Sequence, residues 1–185
     1  MNQKTKKLTL SAILIALASV LAWLSKIIPG MPFGGSVTIA SMVPIILISI
    51  LCGTKWGLIS GVIYGAIQML FGFYPAPTQT FFDNMLVVLL DYVLAFGVLG
   101  LANIFYTLSG KKVYSASLSA FAVTLLRYVC HIISGVVIWG VYKEAGQTAL
   151  SYSLIYNGSY MIPEIIINTI VTTLLFPFIK KQKTR

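Results

Sequence analysis

The stretch Met85-Leu-Val-Val-Leu-Leu-Asp91-Tyr92-Val-Leu-Ala-Phe-Gly-Val-Leu-Gly-Leu101 is apolar throughout except for one carboxylate. Its length suits a bilayer crossing, for which about 20 apolar residues are needed. A charge near mid-bilayer costs roughly 2.5–3.5 kcal/mol on insertion scales, so Asp91 requires a partner, a watered cavity or a ligand. Two questions follow: whether the rest of the chain is also membrane-embedded, and what keeps Asp91 company.

The composition answers the first. Of 185 residues, 58% are hydrophobic and 9% charged, and the mean hydropathy is +0.91. A soluble domain would carry about 25% charged residues. Apolar segments recur at 8–28, 37–52, 56–73, 84–107, 114–141 and 160–178, and little lies between them. The expectation is an all-α integral membrane protein, residues 1–185 forming a single domain of six transmembrane helices. The apolar run near the N-terminus exceeds the 7–15 residues of a signal-peptide core, so it is expected to be a retained helix.

With six crossings both termini lie on one side. That side carries Lys4, Lys6, Lys7, Lys55, Lys111, Lys112, Lys180, Lys181, Lys183 and Arg185. The other side has Lys26 and Lys143, and Arg127 falls inside a span. The positive-inside rule makes the lysine-rich side, and both termini, cytoplasmic. The net charge of +9 therefore reports topology and contact with anionic lipid, and nucleic-acid binding is not expected.

Topology then assigns depth. Asp91 is expected about 10 Å below the outer start of its helix. Asn157 and Glu164 are expected near the outer surface. In the fifth span Arg127, His131, Gly135 and Trp139 recur every four residues, each rotated about 40° from the last. One stripe thus bears a cation, the only histidine, a gap and a large π-face. Arg127, the deepest, is expected to neutralise an acid or to snorkel, with Glu164 as a possible partner or a surface acid. Outer connections at 29–36, 74–79 and 143–158 are expected lids, the last containing Tyr152, Tyr156 and Asn157. Aromatics around a carboxylate suit a flat cationic ligand, since each cation–π contact contributes roughly 0.5–2 kcal/mol. On the first helix Ala12 and Ala16, followed by Ser19 and Val20, form a small-residue stripe suited either to docking another helix or to internal packing.

Other chemistries lack their residues. The chain has no phosphate-cradling Gly-x-x-x-x-Gly-Lys-Ser/Thr, no Ser/His/Asp arrangement and no His-Glu-x-x-His. One histidine cannot build a multi-histidine metal site, and Cys52 and Cys130 lack ligand spacing. Asn157-Gly158-Ser159 matches a glycosylation sequon, but its aromatic surroundings favour a structural or binding role. No enzyme, cofactor or metal is expected. Binding or transport is expected, with energy supplied from elsewhere.

An ordered set of motifs narrows this reading. They are Pro32-Phe33-Gly34-Gly35-Ser36-Val37-Thr38, Leu90-Asp91-Tyr92, Arg127-Tyr128-x-x-His131-x-x-Ser134-Gly135, and Tyr152-Ser153-Leu154-x-Tyr156-Asn157-Gly158-Ser159-Tyr160-Met161-x-Pro163. Across nearly the whole chain they resemble the thiamine-specific S-component of energy-coupling-factor (ECF) transporters. That resemblance implies a six-helix subunit in a prokaryotic plasma membrane that captures thiamine from outside. It also implies partners, namely a transmembrane coupling protein and two cytoplasmic ATPases, and release of the vitamin by toppling in the membrane. Asp91 would hold the aminopyrimidine, Tyr92 would shape the site, and Trp139 would stack on the thiazolium beside His131. Gly135 would leave room for the ring, and Tyr152 and Asn157 would close the pocket from the third outer loop. Met31 and Phe33 stand where some relatives carry a first-loop tryptophan. Ala12 and Ala16 would form the docking face. The alternatives are a proton-coupled transporter using Asp91, His131 and Arg127, or an S-component for another vitamin.

Overall fold

The computed structural model describes residues 2–32 and 35–183, with side chains described through Lys180. Phe33, Gly34 and Arg185 lie outside the described residues, so the first-loop role expected of Phe33 does too. Six helices make up the described chain: α1 (Gln3–Leu24), α2 (Val43–Cys52), α3 (Thr54–Phe71), α4 (Phe81–Leu108), α5 (Val113–Val137) and α6 (Ala149–Lys183). By length and composition α1, α4, α5 and α6 can cross a bilayer. Large apolar side chains such as Leu17, Ile133, Ile166 and Leu174 are exposed on their outer faces. In water that surface would aggregate; in lipid it is the solvated one.

Local chemistry sets the helix ends. The Asn2 side chain accepts from the Lys4 N–H to start α1, and the Thr80 hydroxyl accepts from the Asp83 N–H to start α4. The Asp83 carboxylate accepts in return from Thr80 Oγ1 at 2.8 Å, so an anion stands in the first turn where the helix dipole favours it. Lysines serve the other ends. Lys7 Nζ donates to the last carbonyl of α2, Cys52 O, at 2.9 Å, and Lys26 Nζ donates to Phe71 O of α3 at 2.8 Å.

The hydrogen bonds also tie each end of the bundle together. Lys7 reaches Cys52, Asn103 reaches Thr54, and Lys180 reaches Lys111 O, so the start of α1, the end of α6 and the lysines between them at these contacts share one end. The positive-inside rule makes that end cytoplasmic. Lys26, Gly72, Tyr92 and Gly35 belong to the opposite, outer end.

Two predicted segments have different shapes. The second was read as a crossing from residue 37, but the helix starts only at Val43, with Pro44 in its first turn. Residues 35–42 before it are irregular, and Ala40 adopts a left-handed φ of 56°. The ten-residue helix rises about 15 Å, so the irregular residues 35–42 complete the crossing from the outer end to Cys52 at the cytoplasmic end. Val43 to Ser49 are all buried, which marks α2 as a central helix rather than a lipid-facing one. The sixth segment was expected to start at Tyr160 but starts at Ala149, so the expected third lid is largely helix. Asn157-Gly158, expected in that outer connection, is helical and buried against α5. With eleven more residues above it, Glu164 lies about 22 Å along α6. It is 2% exposed and therefore not a surface acid.

Packing of α3 on α4 fixes where Asp91 stands. Gly57, Gly61 and Gly65 lie one turn apart on α3. A Cβ on Gly57 would sit 2.9 Å from Gly100 Cα, and one on Gly65 would sit 2.5 Å from Tyr92 O. This close backbone approach follows from small residues in a row, as is usual for membrane helices. Alongside it α4 widens into a π-helical turn over Val88–Leu94 and then tightens to 3-10 over Val98–Leu101. Asp91 is inside the π turn, a distortion that recurs at functional sites.

On α1, Ser11, Ala18 and Ala22 face inward, while Ala12, Ala16 and Val20 are exposed. The small-residue stripe is thus free of internal packing.

Candidate functional site

A cavity of about 370 Å³ opens among the outer halves of the helices. Its size falls in the range of roughly 300–1,000 Å³ typical of small-molecule sites. Asp91, Tyr92, His131, Gly135, Trp139, Tyr152 and Asn157, all named from the sequence, line it. They come from α4, α5, the 3-10 turn Trp139–Tyr142 and the first turns of α6.

Asp91 is held by three donors. His131 Nδ1 lies 2.9 Å from Oδ1, and Ser134 Oγ at 2.7 Å and Trp139 Nε1 at 3.2 Å donate to Oδ2. Arg127 Nε donates to His131 Nε2 at 3.2 Å. An arginine Nε–H can only donate, so His131 Nε2 must be the acceptor and the ring proton must sit on Nδ1. The imidazole is therefore neutral and passes its proton's hydrogen bond to Asp91. A carboxylate offers about four acceptor positions, and three are filled. The remaining capacity is on Oδ1.

Arg127 departs from expectation. Among the described residues it forms no ion pair; the side chain on Asp91 is the neutral imidazole of His131, at 2.9 Å. Its guanidinium lies 4.0 Å from the centre of the Phe96 ring, and Nη1 reaches the Met42 sulfur at 2.8 Å. It acts on Asp91 through the imidazole, because the four-residue spacing that aligned the stripe also places His131 between them.

Glu164 makes its contacts elsewhere. Its Oε1 accepts from Thr38 N–H at 2.5 Å and Thr38 Oγ1 at 2.6 Å, and Oε2 accepts from Asn168 Nδ2 at 2.9 Å.

Tyr152 and Asn157 border the cavity from helix rather than loop. Asn157 is 6% exposed, which leaves no access for a glycan. Its Nδ2 donates to His131 O and to Ser153 O and Oγ, each at 3.0 Å, and its Oδ1 accepts from Tyr160 OH at 2.5 Å. This clamps α6 behind His131. Gly135 has a packing reason beside its place on the wall. A Cβ there would meet the Ser153 hydroxyl and come within 2.9 Å of Asn157 Nδ2, so its absence admits α6.

The aromatic wall is larger than the sequence reading named. Tyr152 stacks on Tyr156 with centroids 5.7 Å apart, Tyr156 meets Tyr160 edge-on at 6.1 Å, and Tyr160 meets His131 at 5.9 Å. The signal was present as tyrosines at i, i+4 and i+8, hidden by reading this segment as a loop. Gln68 of α3 was also missed: it lines the cavity with a buried Nε2 that has no protein partner, and the Tyr152 hydroxyl is likewise unpartnered. A lone glutamine in an apolar helix was the available clue. The first two outer connections do contribute, through Gly30, Gly35 and Ser36 and through Tyr74. Met31 is not among the lining residues.

A membrane-embedded bundle with an outward cavity, a carboxylate held by three donors with one acceptor position left, and an aromatic wall defines a binding protein for a small, flat ligand that carries amine or cationic character. Residues 8–184 match the family described as thiamine transporter protein (Thia_YuaJ). The chain belongs to this thiamine transporter family of multi-pass proteins of the bacterial cell membrane. It is 37% identical to the thiamine transporter ThiT of Bacillus subtilis over 187 residues, which cover 95% of this chain and 94% of that protein. The ThiT of Lacticaseibacillus paracasei is 33% identical over 101 residues, half of each chain. A solved structure of ThiT from Listeria monocytogenes, 24% identical, superposes with a TM-score of 0.75 over 97% of this chain and 98% of that one, which supports the fold.

Proposed function

We propose that this chain captures thiamine from the outer side of the membrane as the substrate-binding S-component of an ECF importer. The observation that carries this reading is the Asp91 carboxylate, held by His131, Ser134 and Trp139 at the edge of an aromatic-lined cavity. Its remaining acceptor capacity suits an aminopyrimidine, whose exocyclic amine donates and whose protonated ring nitrogen can pair with a carboxylate. The π-faces of Trp139 and of the tyrosines on α6 suit the thiazolium at the other end of the vitamin. The names of the curated relatives point to the same ligand.

ATP hydrolysis is assigned to partner subunits, a coupling protein and two ATPases, because the chain carries no phosphate-cradling loop. The exposed Ala12 and Ala16 are the proposed contact with the coupling protein. The hydrogen-bonded string from Asp91 disfavours a proton relay. It runs into Arg127, which cannot lose its proton in a protein, so it offers no exit toward the cytoplasm.

The test is uptake of labelled thiamine by cells that lack their own importer, with and without the coupling protein and ATPases. Uptake is expected only with the partners and ATP. Uptake by the chain alone, abolished by a protonophore, would overturn this reading in favour of proton coupling.

A further inference from the structure

Glu164 is a carboxylate deep in the bundle, 2% exposed, that does not line the cavity. Such a group is expensive in a membrane and needs a reason. The reason is visible in its partners. Oε1 accepts both the backbone N–H and the hydroxyl of Thr38, a residue 126 positions away that does line the cavity. Oε2 accepts from Asn168 one turn along α6.

Thr38 belongs to residues 35–42, which carry backbone polar groups without regular structure at membrane depth. Such backbone persists only where protein or a cavity satisfies it. Here side chains do so: Tyr156 OH accepts from Gly35 N–H at 3.2 Å, and Ser25 Oγ accepts from Ile39 N–H at 2.7 Å. Glu164 supplies the ionisable contact of the three, and hydrogen bonds to a charged acceptor are about twice as strong as neutral ones.

We propose that Glu164 is a positioning residue for the ligand site, holding the 35–42 wall of the cavity against α6 through Thr38. It touches no ligand; it determines how firmly the wall stays in place. Thiamine retention as a readout rests on the function proposed above, whereas motion of the wall does not.

The experiment uses the purified full-length chain in detergent. Hydrogen–deuterium exchange of peptides covering 35–42 is measured without ligand, and thiamine association and dissociation rates are measured by tryptophan fluorescence. Glu164→Ala should speed exchange in that segment by about tenfold or more and speed thiamine dissociation by a similar factor, with a smaller change in association. Glu164→Gln should lie much nearer wild type than Glu164→Ala in both, with a loss of only about two- to threefold for the weaker neutral acceptor. Its Oε1 still accepts from Thr38, and its amide can donate to Asn168 once that side chain flips, since Asn168 Oδ1 has no protein partner. Thr38→Val, which keeps the N–H bond and loses the hydroxyl, should fall between.

Wild-type exchange at 35–42 in Glu164→Ala would overturn the proposal. So would Glu164→Gln as labile as Glu164→Ala, which would assign the residue a buried-charge role instead. If Glu164→Ala fails to fold, an unchanged segment in Thr38→Val is equally decisive against it. Failure of wild-type protein to bind thiamine would sink the ligand assignment while leaving the exchange measurement to judge the wall.

Discussion

Replacing Asp91 with asparagine separates what this residue does for the fold from what it does for the ligand. In the native site both carboxylate oxygens accept, Oδ1 from His131 and Oδ2 from Ser134 and Trp139. Asparagine must turn an NH2 toward one side. Ser134 can rotate its hydroxyl, but His131 cannot change tautomer while Nε2 accepts from Arg127. The amide oxygen therefore faces His131 and the NH2 faces the Trp139 N–H, leaving a donor conflict that costs about 1–3 kcal/mol of stability. This conflict is present with or without ligand, so it shows as a lower melting temperature rather than a weaker affinity.

The affinity loss comes from two other sources. The amide oxygen on the His131 side still accepts from the ligand, so the loss there is the difference between a charged and a neutral acceptor, roughly 1 kcal/mol. The lost attraction to a cation about 8 Å away adds roughly 2 kcal/mol at an effective dielectric constant of about 20. Together they give roughly 3 kcal/mol, about a hundredfold in Kd. The assay is equilibrium thiamine binding to the purified variant by calorimetry, beside its thermal melt. A folded Asp91→Asn protein with Kd within about threefold of wild type would refute the assignment of Asp91 to the ligand.

Trp139 is the tryptophan that lines the cavity, whereas Trp23 is 61% exposed on the outer face of α1. Trp139→Phe should remove most of the thiamine-induced fluorescence change while keeping affinity within about tenfold, because a π-face remains; an undiminished signal would place the ligand elsewhere. Gly65→Ala would push a methyl against Tyr92 O, next to Asp91. A cost of about 1–3 kcal/mol in stability is expected, with weakened binding, by thermal melt and calorimetry. Ala16→Trp on the exposed face of α1 should leave thiamine binding by the isolated chain unchanged and abolish partner-dependent uptake; intact uptake would move the docking face.

Much of this could be read from local signals. The helical class and the basic end follow from apolar run lengths and lysine placement, and the stripe Arg127–His131–Gly135–Trp139 needed only helical periodicity. The parts that escaped depend on contacts between distant residues. Asn157-Gly158 has the composition of a turn, yet the Asn157 amide is worth more buried against His131 O and Ser153 than in a loop. Residues 37–42 look like the start of a membrane helix, but Thr38 finds its partner on Glu164 and the helix starts later. No property of Glu164 in the sequence identifies Thr38. The π turn at Asp91 was equally hidden, because it depends on how α4 packs against the glycine row of α3.

The central claim is that the cavity built around Asp91 is a thiamine site that works without the other subunits. Equilibrium binding of thiamine, riboflavin and biotin to the purified chain alone tests it most directly. Tight, saturable binding of thiamine at one site per chain, with neither of the others competing, is the predicted result. Binding of riboflavin or biotin in preference to thiamine, or thiamine binding only in the presence of the coupling protein and ATPases, would contradict it.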